Sequence, residues 1–142
     1  MKVFLIDDSA QVIQRLEEML VSLPGIEVVG YAANVAEALE AVRASSPSVV
    51  VLDIHISGHN GIEVIKTIKK EKPEAVVIVL TNYTSPQYQK RSVAAGAHSF
   101  LDKSKDFTQV PWVVQALSME LERRQGPRAV QGLDAGLQSG SR

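Results

Sequence analysis

Five side chains able to do phosphate or cation chemistry stand at the ends of short apolar runs. FLI runs into Asp7 and Asp8, VVVL into Asp53, VIVL into Thr81, and HSFL is followed, one residue on, by Lys103. Three carboxylates gathered in one cleft repel one another and are pushed toward protonation. A hard divalent ion relieves that repulsion, and Mg2+ (or Mn2+) suits one or two carboxylates completed by waters and a phosphoryl oxygen. Lys103 would add positive charge beside such an oxygen, and Thr81 a hydroxyl donor.

Taken singly, each residue has an ordinary explanation. Asp-Asp-Ser after a strand is a good helix start. Asp53 and Thr81 suit turns, and a lysine at a strand end is usually solvated. Four strand ends carrying the same kind of side chain point instead to a site, provided the fold brings those ends together.

The apolar pattern supplies such a fold. Val3 to Ile6 reads as a strand, and the helical spacing of Val12, Ile13, Leu16, Met19, Leu20 and Leu23 follows it, stopped by Pro24-Gly25. Ile26 to Tyr31 reads as a second strand. The helix after it has the inner face Val35, Ala38, Leu39 and Val42 and stops at Pro47. Val49 to Leu52 and Ala75 to Leu80 are continuous valine-rich runs, the signature of strands buried on both faces of a parallel sheet. Ile62, Ile65 and Ile68 form a helical stripe between them. A weaker helix near Pro86 to Ala95 ends at Gly96, and His98 to Leu101 reads as a short fifth strand. The last helix carries Val110, Val113, Val114, Leu117 and Leu121, with Pro111 in its first turn.

Five strands alternating with five helices imply an α/β fold with a parallel sheet covered on both faces. Right-handed crossovers leave few topologies, and the doubly wound, flavodoxin-like order 2-1-3-4-5, the commonest at this size, is expected by analogy. Ligands of such sheets bind beyond the carboxyl ends of strands 1 and 3, where the aspartates lie. One domain is expected over residues 1–125. From Gly126 the composition turns to Gly, Ser and Gln without periodicity, so residues 126–142 read as a flexible tail.

Composition narrows the classes. The chain has 142 residues, 45% of them hydrophobic, enough for a core. Lys and Arg number 15 against 16 Asp and Glu, a net charge of −1, which argues against direct nucleic-acid binding by the bulk surface. There is no cysteine, hence no disulfide or thiolate metal site. The amino terminus reaches two aspartates after four apolar positions, and no apolar run is long enough for a bilayer. A cytoplasmic protein without membrane association is the expectation. His55 and His59 near Asp53 lack a third and fourth ligand for zinc.

The motifs FLIDDS, VVVLDI, VLTNY and GAHSFLDKS resemble, in order and spacing, the signatures of response-regulator receiver domains of two-component signalling, and Gly61, eight residues after Asp53, fits the same pattern. The resemblance covers residues 1 to about 125. It implies that Asp53 is the phosphoacceptor and that Asp8, Asp53 and the backbone carbonyl of His55 coordinate Mg2+, with Asp7 acting largely through a metal-bound water. It implies that Thr81 and Lys103 contact the phosphoryl group and that Thr81 and Phe100 form the switch pair. The implied partners are a histidine kinase or phosphotransfer protein and a downstream protein target, and a dimer formed on phosphorylation is compatible with it.

Departures from the family pattern fall around the site. Ser57 replaces a frequent proline, Asn82 a usually small residue, and His55 and Tyr83 occupy variable positions at the rim; Asn82, Tyr83 and His55 are expected to tune the site. Two rivals remain: a phosphorylation-independent interaction module, and an aspartyl phosphatase. The phosphatase would want an acidic residue where His55 stands. Nothing in the sequence names the output, and the chain reads equally as a single-domain regulator or as the receiver piece of a longer one.

Overall fold

The computed structural model describes residues 1–57 and 59–135. Five parallel strands form one sheet: β1 Lys2–Ile6, β2 Glu27–Ala32, β3 Val49–Leu52, β4 Val76–Thr81 and β5 Ser99–Asp102. Their order is 2-1-3-4-5, the flavodoxin-like order expected by analogy. The helices are α1 Ala10–Val21, α2 Val35–Ser45, α3 Gly61–Glu71, α4 Pro86–Ala95 and α5 Val110–Ala135. A small antiparallel ribbon, His55–Ile56 paired with His59–Asn60, lies outside the sheet between β3 and α3.

The core has two halves because successive strand residues face opposite sides. Phe4, Ile6, Val50, Leu52, Val77 and Val79 pack with Ala38 and Val42 of α2 and Ile62, Ile65 and Ile68 of α3. Val3, Leu5, Val49, Val51, Ile78 and Leu80 pack with Ile13, Leu16 and Leu20 of α1 and Val110, Val114 and Leu117 of α5. All four residues of β3 are buried, which explains its unbroken apolar run. Capping follows the short polar residues before each helix: Ser9, Asn34, Asn60 and Ser85 accept from the backbone N–H groups of Val12, Glu37, Ile62 and Tyr88.

Helix α4 is the exception to this packing. Its one buried residue is Ser92, whose hydroxyl has no hydrogen-bond partner among the described residues. Gly96 closes α4 in the left-handed region at φ +116°.

Three strands run one residue later than their apolar runs suggest: β2, β4 and β5 end at Ala32, Thr81 and Asp102. Backbone pairing is indifferent to side-chain polarity, and the pairs Ile6–Ala32 and Thr81–Asp102 continue the ladder past the hydrophobic stretch. A 3₁₀ turn at Phe107–Gln109, unmarked in the sequence, precedes α5; it buries Phe107, with the Arg15 guanidinium 4.1 Å over the ring. Helical backbone continues through Gly126 and Pro127 to Ala135, past the point where the tail was expected to start. The breakers weighed in that expectation are outnumbered there by good helix formers such as Arg128, Ala129, Gln131 and Leu133. The remainder of the expected tail, residues 136–142, lies outside the described residues.

Candidate functional site

The sheet places the site by continuing its ladder one residue into the loops. The N–H of Asp7 donates to Ala32 O at 3.1 Å, that of Asp53 to Ile6 O at 3.0 Å, and that of Lys103 to Thr81 O at 2.9 Å. Each chemical residue is therefore backbone-anchored to the neighbouring strand while its side chain clears the end of the sheet. The loop carrying Lys103 is tightened further. The Asp102 carboxylate accepts from the N–H and hydroxyl of Ser104, and Asp106 accepts from the Asp102 N–H. The Ser104 hydroxyl, the largest influence, and the Ser104 N–H hold the Asp102 carboxyl below its usual pKa.

Lys103 joins the two inner carboxylates. Its Nζ lies 2.7 Å from Asp53 Oδ2 and 2.8 Å from Asp7 Oδ2. Both aspartates are buried, and the lysine side chain is only 11% exposed. The remaining oxygens are also held: Asp53 Oδ1 accepts from His55 N–H at 2.9 Å, and Asp7 Oδ1 from Ser9 N–H at 2.9 Å. Burial pushes the Asp7 carboxyl above its ordinary pKa, and hydrogen bonds from Lys103 and the Ser9 N–H only partly offset it. Burial also opposes the Lys103 charge, but Asp53 and Asp7 outweigh it and raise the lysine above its usual value. Two carboxylates against one ammonium leave this cluster one negative charge in excess.

Asp8 stands apart from this cluster. It is exposed, and its Oδ2 accepts from Ser57 N–H at 3.0 Å. Thr81 is fully buried at the end of β4, and its hydroxyl oxygen accepts from Tyr83 N–H at 3.2 Å. Phe100 is half-buried against the α2–α3 half of the core. Asn82 is exposed. The structure thus brings Asp7, Asp53 and Lys103 into contact, keeps Asp8 on the rim, and leaves Thr81 behind, engaged with the β4–α4 loop.

The rim residues do meet each other. The His55 and Tyr83 rings meet with centroids 4.4 Å apart and planes tilted by 40°, and Tyr83 meets Tyr88 edge-on at 6.2 Å. These three, with His59 and Arg91, line a cleft of about 170 Å³ beside the loop that follows Asp53. The parts played by Tyr88, Arg91 and the Ser57 N–H were missed in the sequence. Two are single residues on a helix without an apolar stripe, and a backbone donor has no sequence signal at all.

Gly61 lets the loop after Asp53 close onto α3. Its N–H reaches Ile54 O at 2.6 Å, and a Cβ there would lie 2.6 Å from Ile54 Cα and 2.9 Å from its carbonyl oxygen. The obstacle is backbone, which cannot step aside. Gly61→Ala should cost about 2–3 kcal/mol of unfolding free energy, measured by urea denaturation. A loss below about 0.5 kcal/mol would show that the loop yields.

Comparison with known proteins bears on the family and the fold. The family model for the response regulator receiver domain matches residues 3–115. The chain belongs to that family. This receiver domain is 38% identical over 102 residues to the DNA-binding transcriptional activator DevR/DosR of Mycobacterium tuberculosis, covering 72% of this chain and 47% of that protein. It is 32% identical over 117 residues to the transcriptional regulatory protein LiaR of Bacillus subtilis, covering 82% of this chain and 56% of that one. Among solved structures, the response regulator domain of Thermotoga maritima CheB superposes with a TM-score of 0.73 at 31% identity, covering 84% of this chain and 94% of that one. The receiver domain spans about half the length of the curated relatives it matches, 47% and 56% in these two cases. Among the described residues no helix is long and apolar enough to cross a membrane.

Proposed function

We propose that this receiver domain accepts a phosphoryl group on Asp53 from the phosphohistidine of a histidine kinase or phosphotransfer protein, and that the modified state alters its surface for a downstream protein partner. The observation that carries the reading is Lys103 Nζ set between Asp53 and Asp7 at the strand ends. A carboxylate oxygen of Asp53 forms the new P–O bond as the P–N bond breaks, and the bonding electrons return to the imidazole nitrogen. The His55 N–H and Lys103 hold both Asp53 oxygens in place for in-line approach, and the ammonium faces the charge that develops on the phosphoryl oxygens. Thr81 gives up its contact with Tyr83 N–H to bind a phosphoryl oxygen, Phe100 moves further inward, and α4 adjusts. The protein catalyses its own phosphorylation and dephosphorylation only. Binding by protein contact rather than nucleic acid, and a cytoplasmic location, belong to the same proposal.

Receiver domains of this family are generally Mg2+-dependent, and the donor set here fits. Asp8, Asp53 and the His55 carbonyl are all hard oxygen donors, and Asp7 can hold a water. No group of three or more His, Cys, Asp or Glu side chains among the described residues could itself enclose an ion. Mg2+ takes one or two carboxylates and completes its shell with waters and phosphate, which these oxygen donors could supply in part. When bound, the ion would neutralise the surplus negative charge and polarise the phosphoryl group.

A small phosphodonor with Mg2+ should add one phosphoryl group per chain, labile to hydroxylamine as an acyl phosphate is. Mass spectrometry that maps the label to any residue other than Asp53, or finds none, would overturn the reading.

Lifetime depends on the rim. Hydrolysis needs a water in line with phosphorus, and the His55–Tyr83 pair at the rim would crowd that approach. Tyr83→Ala should shorten the half-life of the phosphorylated protein severalfold, read by decay in Mg2+ buffer, and Asn82→Ala should speed its formation. Decay of Tyr83→Ala at the original rate or slower would show that the phenol does not shield the bond.

A further inference from the structure

We infer that Ser57 is a positioning residue for the Asp8 carboxylate, acting through its backbone N–H; the inference rests on the reading of Asp8 as a cation ligand. The ribbon between β3 and α3 is pinned by Ile56, which is completely buried, and Ser57 follows it at φ +47°. Few non-glycine residues adopt that left-handed conformation, and it is kept only where the surroundings hold it. Here two contacts do so. The Ser57 N–H donates to Asp8 Oδ2 at 3.0 Å, and the Ser57 hydroxyl donates to Ala33 O at 3.3 Å. One residue thus ties together the loops that follow β1, β2 and β3.

The consequence for Asp8 is specific. Its side chain is exposed, and among the described residues the Ser57 N–H is the one hydrogen-bond donor it meets. Without that donor the carboxylate would spread over several rotamers. With it, Oδ2 is fixed against the ribbon and the other oxygen is left for a cation, so part of the ordering is complete before the ion arrives. The hydroxyl secures the turn, while the N–H acts on Asp8. A proline here would lack the N–H, and its ring would force φ to about −65°.

The experiment is a calorimetric Mg2+ titration of the unphosphorylated protein and of Ser57→Ala, Ser57→Gly, Ser57→Pro and Asp8→Ala. Alanine and glycine keep the N–H, so both should retain the original Kd within about twofold, whereas Ser57→Pro should bind roughly threefold to tenfold more weakly. An unchanged Kd in Ser57→Pro overturns the inference, as does an equal loss in Ser57→Ala, which would assign the effect to the hydroxyl. Should Ser57→Pro fail to fold, the Ser57 amide resonance of the original protein decides. It must shift as Mg2+ binds and stop responding in Asp8→Asn, and a silent amide overturns the inference. Failure of the underlying metal reading looks different. There the unmodified protein takes up no Mg2+, or Asp8→Ala binds it as tightly as before, and the role of Ser57 falls with it.

Discussion

Asp53→Asn should abolish phosphoryl uptake and, in the same protein, raise the stability of the metal-free fold. The first effect follows from removing the nucleophile: an amide oxygen cannot form the acyl phosphate, so labelling by a phosphodonor should fall by at least about a thousandfold. The second follows from charge. Asp53 and Asp7 share one lysine, so the buried cluster carries one negative charge too many. The amide oxygen of asparagine can still accept from Lys103 Nζ, and the Asp7–Lys103 pair left behind is neutral. We expect a gain of about 1 kcal/mol in urea unfolding at pH 7 without Mg2+. Mg2+ should narrow the difference between the two proteins, because it stabilises only the one with its carboxylates intact. Retained hydroxylamine-labile label on the asparagine variant would refute the acceptor assignment. A loss of stability would show that the excess charge is already dissipated by solvent.

Lys103→Met should act in the opposite sense. It leaves two buried carboxylates 2.7 and 2.8 Å from where their cation stood, without compensation. Removing one partner of a buried pair costs roughly 3–5 kcal/mol; with the cluster at the sheet edge beside exposed Asp8, about 2–3 kcal/mol is expected. The pH dependence has a definite sign. The folded-state pKa of Asp7 already lies above its unfolded value through burial. The folded protein therefore binds that proton more tightly, and ionising Asp7 takes stability away as pH rises through the folded pKa. Loss of Lys103 removes the hydrogen bond and charge that held Asp7 down, so its pKa climbs further. The deficit of Lys103→Met should be largest near neutral pH and shrink as pH falls toward the ordinary carboxyl range. The lysine itself, raised above its usual value, lends its stability below that value and loses it only as pH rises through the folded pKa. Phosphoryl uptake should drop roughly a hundredfold or more, as for loss of one charge-stabilising donor. A deficit that stays constant from pH 7 to pH 4 would mean that the carboxylates are not the cause.

The strands and the inner site were legible in the sequence for one reason: β3 and β4 are buried on both faces, so their apolar runs are unbroken until the chemistry begins. Asp53 and Thr81 announce themselves by interrupting valine and leucine. Strand order sets the ends of β1 and β3, and with them the aspartates, side by side; Lys103 follows β5, two strands from β3, and its contact with Asp7 and Asp53 emerged only in the structure. What sequence could not carry was orientation. Asp8 and Asp7 are neighbours in the chain yet face different surroundings, one toward Ser57 on the rim and the other toward a buried lysine. The contact of His55 with Tyr83 joins two loops whose approach depends on the ribbon, and the ribbon depends on a left-handed serine that composition does not foretell. The β5–α5 connection was similarly opaque: its 3₁₀ turn is stabilised by a buried phenylalanine under an arginine from another helix.

Helix α4 holds its place with one buried serine whose hydroxyl is left unpartnered. A seat so lightly buried is expected to have neighbouring seats within about 1–3 kcal/mol, so that a second arrangement would be visited by a minor fraction of molecules at rest. Coupling through such a helix runs in both directions with equal strength. On the proposed reading, a partner that grips the rarer arrangement would do more than receive a signal: it would draw Asp53 toward its phosphorylated state, so the abundance of the listener would set how readily the message is written.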